Sequence, residues 1–274
     1  MTFGFIGLGH QGTPMAERMI GAGLRPWLWA RRSEVLARYE EADAQIANSP
    51  TELGAHCDVI GLCLYDAEAT DSVLFGPDGL MSEVRPGTVL ALHSTVGPAY
   101  VQDLAIRLVK YGVSVVDAPV SGGNAAALGQ LLVITGGDEE LCAVCTPMFA
   151  TYAGRIVHTG QLGSAQTAKL INNSLMTAIT GLVFDAFDLG TALDVDRDRL
   201  GEVLANGSAA NPSVGICLEL GADRFSVAAW PTLHKDVALA QSLGVLNTKI
   251  LFDAAASTIA EMSRRRHDAP AAGE

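Results

Sequence analysis

The spacing of apolar and polar positions changes character near residue 160. Before that point, short apolar runs of strand length alternate with stretches of helical period. Runs at 3–6, 26–30, 58–64, 88–92, 113–116, 131–135 and 155–157 predict strands. Stretches at 13–23, 98–111 and 138–152 predict helices between them. Ser49-Pro50 supplies the cap and first residue of a short helix, and Ser33 is read as the cap of a helix after the second strand. Beyond residue 160 every repeat is helical: 164–193, 198–206, a stretch near 213–220, 232–243 and 248–265. The charged, Pro- and Ala-containing end from Arg264 to Glu274 is expected to fray. Alternating strands and helices predict a doubly wound parallel sheet. The expected fold is therefore α/β, with a dinucleotide-binding domain at 1–160 and an all-helical domain at 161–274 that opens on a long interdomain helix.

The first strand runs into Gly7-Leu8-Gly9-His10-Gln11-Gly12, and a helix follows. This is the G-x-G-x-x-G pattern between the flanks it needs: glycines let the backbone approach a pyrophosphate, and a helix N-terminus offers N–H groups to it. The second strand ends at Ala30-Arg31-Arg32. An NAD site places an acidic residue there for the ribose 2′-hydroxyl, whereas guanidinium forks suit a 2′-phosphate, so NADP is expected over NAD. Strand ends on this edge of the sheet face the ligand crevice. Leu64 is accordingly a cofactor candidate, and Ser94 and Thr95 are candidate cofactor or substrate donors. The turn at Ser121-Gly122-Gly123 offers consecutive backbone N–H groups that suit a carboxylate; an ordinary strand-to-helix turn reads equally well there.

The long apolar helix opens on Gly163 to Asn173 and puts Lys169 and Asn173 one turn apart on one face. Within an apolar run, an ammonium and a carboxamide cost desolvation energy unless paired. The run at 170–193 is broken by Asn172, Asn173, Asp185 and Asp188, which reads as a core helix rather than a membrane span.

Composition narrows the function classes. A chain of 274 residues with 49% hydrophobic and 18% charged residues reads as an ordinary globular protein. A net charge of −12 argues against nucleic acid or an anionic membrane as partner, and requires a local positive site for an anionic substrate. The 5 cysteines are odd in number and scattered, and nothing before residue 3 reads as a secretory signal, so a cytoplasmic setting is expected. Cys142 and Cys145 have redox-motif spacing but no second pair for zinc, and are read as packing thiols; no metal site is expected.

Four segments together give the chain its likeness. It resembles the β-hydroxyacid dehydrogenase family, which includes 3-hydroxyisobutyrate and 6-phosphogluconate dehydrogenases. The matching segments are Gly4 to Ala16, Asp117 to Gly123, Gly160 to Asn173, and Lys235-Asp236-x-x-Leu239-Ala240, in that order over nearly the whole length. Departures fall at Gln11, where methionine is usual, at His93, where an acidic residue often precedes Ser-Thr, and at His234. The resemblance implies a nicotinamide-dependent oxidoreductase of a small β-hydroxyacid or semialdehyde. It implies Lys169 as general acid/base and Asn173 beside it on the substrate. It implies Ser121, Gly122 and Gly123 as carboxylate holders, and Lys235 near both substrate and nicotinamide. A lysine pKa of about 10.4 is high for a base near neutrality, so burial and the second ammonium are expected to lower it. A homodimer or homotetramer is implied as well. Alternatives are an imine reductase of the same architecture, which typically lacks the lysine, a non-catalytic NADP-binding module, and a dehydrogenase of a phosphorylated sugar acid. The last would need a basic cluster from Arg197, Arg199, Arg224 and Lys249.

Overall fold

A computed structural model describes residues 1–244 and 249–268. The chain divides into two compact units, Met1–Lys169 and Leu170–Glu274.

In the first unit, strands β1 (Phe3–Ile6), β2 (Trp27–Trp29), β3 (Gln45–Ile46), β4 (Val59–Leu62), β5 (Val89–Leu92) and β6 (Ser114–Asp117) form a parallel sheet in the order β3-β2-β1-β4-β5-β6. Helices α1 (Gly12–Gly21), α2 (Pro50–His56), α3 (Ala67–Phe75) and α4 (Pro98–Leu108) connect the strands. The order reverses between β1 and β4, the place where doubly wound sheets bind ligands at the carboxyl ends of their strands. The central strands are apolar at every position because both faces are covered. Alternation of the pleat sends Phe5, Val59 and Val89 into one core with Met15, Met19 and Phe149, and Ile6, Ile60 and Leu90 into another with Leu53 and Leu104.

A second small sheet follows, with β7 (Val120–Ser121) antiparallel to β8 (Leu131–Thr135), and β8 parallel to β9 (Ala153–His158). Helix α5 (Glu139–Phe149) lies between β8 and β9 in the chain, and its first turn is capped by Asp138, whose carboxylate accepts from Glu140 and Leu141 N–H at 2.9 and 3.1 Å. Cys142 and Cys145 lie on α5 as buried free thiols, in keeping with a packing role.

Helix α6 (Ser164–Ala192) begins in the first unit and continues into the second. There it is joined by α7 (Arg197–Asn206), α8 (Pro212–Gln241) and α9 (Lys249–Asp268). Val183, Phe184 and Phe187 of α6 form a core with Val214, Cys217, Phe225 and Leu233 of α8 and Met262 of α9. By length and mean hydropathy α6 could cross a bilayer, yet its Thr180 hydroxyl lies 2.9 Å from that of Ser213 and its Asn173 is bonded within the unit, as a core helix requires.

The structure corrects three local expectations. The helix expected near 213–220 does end at Gly221, whose φ of 73° and ψ of 158° are not helical, but the one expected at 232–243 begins just after that residue, within the run Pro212–Gln241. Asp223 and Arg224, just past the kink, are exposed polar residues within the helical run, so the gap in apolar period before residue 232 is not a break. Ser33 does not cap an α-helix; it begins a 3₁₀ stretch, Ser33–Tyr39, that lacks a side-chain cap. Ser49 does cap α2, accepting from Glu52 N–H at 3.1 Å. Residues 264–268, expected to fray, are the last turn of α9, where Arg265 pairs with Glu261, Asp188 and Asp223. The rest of that expectation, at 269–274, lies outside the described residues, as does Thr248.

The Gly221 dihedrals fall in a region that only glycine occupies comfortably. Gly221→Ala is therefore expected to destabilise the protein by about 1–3 kcal/mol, measured as a lower urea midpoint.

Candidate active site

The glycine turn after β1 is built for close backbone approach. Gly7 has φ 102°, and a Cβ there would lie 2.2 Å from the Cys63 carbonyl oxygen. A Cβ on Gly12 would lie 1.9 Å from the Gly7 oxygen, while nothing lies within 4 Å of the Cβ position of Gly9. Two glycines thus seal the turn against the fold, and the middle one faces open space where a pyrophosphate can approach. A cavity of about 370 Å³ opens beside it, lined by Gly7, Leu8, Gly9, Arg31, Arg32 and Leu64 among others. Leu8 is itself buried, so it can serve a ligand only through its backbone, whereas His10, Arg31 and Arg32 are exposed. These features fit a dinucleotide. Cys63 also lines the cavity, but burial pushes its thiol up to about 12.

Thr95 is half-buried after β5. Ser94, expected as a ligand donor, is instead a tie between strands. It is 3% exposed, and its hydroxyl accepts from Leu64 N–H at 2.9 Å and lies 3.5 Å from the Leu62 carbonyl. A serine at a strand end can serve either the crevice or the neighbouring strand, and only the fold decides between them.

The segment from Asp117 to Gly123 leads from β6 through β7 to Gly122 and Gly123, both exposed, with φ of 126° and 52°. Its first residue organises the start of α6. The Asp117 carboxylate, fully buried, accepts from Gly163 and Gln166 N–H, each at 2.9 Å, and so satisfies donors that a helix start leaves over. Burial pushes its carboxyl up, and the N–H bonds pull it the other way. The Gln166 side chain donates to the Ser94 carbonyl at 2.8 Å and accepts from Val96 N–H at 3.1 Å. The first turn of α6 is thereby bolted to the ends of β5 and β6. Lys169, 9% exposed, sits on the next part of the helix.

In the second unit, Asn173, Lys235 and Asp236 form one cluster. Asp236, fully buried, accepts from Asn173 Nδ2 at 2.6 Å and from Lys235 Nζ at 2.7 Å. A carboxylate only accepts, so the amide orientation of Asn173 is decided: its nitrogen faces Asp236, and its oxygen accepts from Asn172 Nδ2 at 3.1 Å. Asp117, Gln166 and Asp236 were passed over in the sequence, although each lies inside a matching segment. For Asp117 the signal was a polar residue in an apolar surrounding, which also marked Lys169. Trp230 and Phe225 pack in the helical core, with Trp230 Nε1 donating to the Ile259 carbonyl at 3.3 Å. His234 is exposed and stacks on Trp230 at 4.6 Å.

The NAD-binding-domain model of 6-phosphogluconate dehydrogenase matches residues 2–160. An L-threonate dehydrogenase of Cupriavidus necator is 35% identical over 75% of this chain and 70% of its own. The mitochondrial 3-hydroxyisobutyrate dehydrogenase of Rattus norvegicus is 33% identical over 78% of this chain and 62% of its own.

The chain belongs to the β-hydroxyacid dehydrogenase family.

It is thus a nicotinamide-dependent oxidoreductase acting on a CH–OH group. The fold is shared with a Mycobacterium tuberculosis 3-hydroxyisobutyrate dehydrogenase solved with L-serine, at TM-score 0.82 and 24% identity over 96% of this chain and 94% of that one. A Streptomyces aurantiacus imine reductase also shares it, at TM-score 0.68 and 18% identity over 96% and 99%.

Two expectations follow for the dehydrogenase. Asp117→Asn keeps the size but turns an NH2 toward N–H donors, and is expected to cost about 1–3 kcal/mol of stability in denaturant unfolding. His93 is buried, and desolvation pushes its pKa down to about 4, against the raising effect of its bond to Ala118. Unfolded histidine titrates near 6.5, so the unfolded chain binds the extra proton first as pH falls. Stability from this group is full above about 6.5 and is lost as pH falls to about 4, a change of roughly 3 kcal/mol. Unfolding midpoints across that range, for the wild type and a His93 variant, measure it.

Proposed function

We propose that the chain interconverts a small β-hydroxyacid and its semialdehyde or keto form with NADP(H), Lys169 serving as general acid/base. The observation that carries this reading is a nearly buried ammonium on a helix whose first turn is tied to the crevice ends of β5 and β6. Burying an ammonium costs free energy, so a site that holds one at a ligand crevice is suited to proton chemistry. The nicotinamide supplies or accepts the hydride. In reduction Lys169 Nζ gives a proton to the carbonyl oxygen; in oxidation it takes the hydroxyl proton. Gly122 and Gly123, exposed beside Ser121, hold the carboxylate. Asn173, one helical turn on from Lys169, keeps its second Nδ2 hydrogen for the substrate because the first is engaged by Asp236. Lys235, held by the same carboxylate, brings a charged N–H donor to the acid.

NADP is read from Arg31 and Arg32 at the end of β2, where Ala30 stands in place of an acidic ribose partner. A relative from Pseudomonas aeruginosa, 31% identical over 76% of this chain, is named an NAD-dependent L-serine dehydrogenase, so cofactor choice is the property to measure. Exposed Ile171, Leu175, Leu182 and Leu189 recur on α6 at spacings of four and seven, which supports assembly as a homodimer or homotetramer. The free cysteines suit a cytoplasmic setting. An imine reductase handles a cationic iminium, which the Lys169 ammonium would repel; the acid reading is favoured for that reason.

Turnover of 3-hydroxyisobutyrate, L-serine and L-threonate, and of glyoxylate and succinic and methylmalonate semialdehydes in reverse, tests the reading. Lys169→Ala is expected to lower kcat by about 10²–10⁴-fold with cofactor binding retained. Full activity in that variant overturns the assignment. Arg31→Ala with Arg32→Ala is expected to weaken NADP by at least about tenfold and to leave NAD unchanged, read from KM for each cofactor.

A further inference from the structure

Two departures from the family, His93 and Gln11, act on the same segment. His93 follows β5 and is 4% exposed, stacked on Phe5 and edge-on to Phe149 and Tyr152. Its Nδ1 lies 2.7 Å from the Ala118 carbonyl oxygen, and its Nε2 lies 3.1 Å from the Tyr152 hydroxyl. A carbonyl can only accept, so Nδ1 carries the hydrogen. Nε2 of the neutral ring then accepts from the Tyr152 O–H. The imidazole therefore spans from Tyr152, just past α5, to the first residue after Asp117.

Ala118 is held at both its polar groups, because its N–H also donates to the Leu92 carbonyl at 2.9 Å. From there the chain runs through Pro119, whose carbonyl accepts from Ile134 N–H at 3.0 Å, into the Val120–Ser121 strand and the exposed glycines. At the far end, Gln11 Nε2 of the nucleotide turn makes a long contact of 3.5 Å with the Gly123 carbonyl. A side chain with a single polar atom at position 93 could serve Ala118 or Tyr152. An imidazole serves both at once, from opposite edges of one rigid ring.

We propose that His93 is a positioning residue for the Ser121–Gly123 turn, setting it through Ala118 with Tyr152 as the fixed support. This rests on the reading of that turn as the carboxylate holder. It predicts a separation of kinetic effects, because apart from the long, exposed Gln11 contact the nucleotide turn at Gly7–Gly12 is anchored elsewhere, by Gly7 N–H on the Trp29 carbonyl and Thr13 N–H on the Gly9 carbonyl.

The test compares His93→Leu, His93→Asn and Tyr152→Phe with the wild type. Leucine removes both bonds; loss of the Ala118 bond, the one that reaches the turn, is expected to raise KM for the acid by about tenfold, the size of one lost buried hydrogen bond, with KM for the cofactor unchanged. Asparagine places its Nδ2 where Nδ1 stood and is expected to recover most of the loss. Tyr152→Phe, which keeps the Ala118 bond, is expected to fall between. If the leucine variant does not fold, asparagine against phenylalanine carries the comparison. An acid KM that stays at the wild-type value in His93→Leu, or in Tyr152→Phe if the leucine variant does not fold, overturns the proposal, as does an equal rise in both KM values. Backbone amide resonances give a readout independent of turnover: those of Ser121, Gly122 and Gly123 are expected to shift in the leucine variant while those of Gly7, Gly9 and Gly12 stay. Should the wild type turn over no hydroxyacid, the proposed function fails and these resonances alone decide whether His93 positions the turn; unmoved turn resonances reject it.

Discussion

A buried carboxylate at the start of a helix underlies the first unit. Asp117 gives up hydration entirely, and its return comes from N–H groups that the first turn of α6 would otherwise leave unmade. Its backbone is committed too, exchanging two hydrogen bonds with Gly136 at 3.2 and 2.9 Å. Packing there is close enough that a Cβ on Gly136 would lie 2.5 Å from Asp117 Oδ1. One residue thus registers β6, the β8 end and α6 together. A lysine in the second turn of such a helix has a defined place relative to the strand ends, and that is the condition for directed proton transfer.

The second unit uses the same device for a different purpose. Asp236 is again a fully buried carboxylate, and it divides its two oxygens between a carboxamide and an ammonium. The lysine neutralises a charge that burial alone would make costly. The asparagine is held in one amide orientation rather than two. In both units the acid decides where a neighbouring group points. Such residues are recognised by what they hold, not by exposure or by a perturbed reactivity of their own.

Fixed backbone conformation plays the complementary part. At Gly7 and Gly12 a side chain would run into main chain, whereas at Gly9 it would only fill space that a phosphate needs. The pattern of three glycines therefore encodes two structural requirements and one vacancy. Gly122 and Gly123 share positive φ, so that turn keeps its exposed backbone bare of side chains as well.

The sequence by itself determined the alternation of strands and helices, the sheet-edge turn and its glycines, and the lysine inside an apolar helix. These are local signals: period, turn chemistry and a polar residue where desolvation is costly. It could not determine that helix resumes directly after Gly221, because the exposed Asp223 and Arg224 look the same as a longer break. Nor could it say that Ser94 ties two strands while Asp117 and Asp236 hold a helix and a pair of side chains. Those roles depend on partners 30 to 63 positions away in the chain. Hydrogen-bond pairing at that separation is decided by which strand ends and helix starts meet, and only the tertiary structure brings them together.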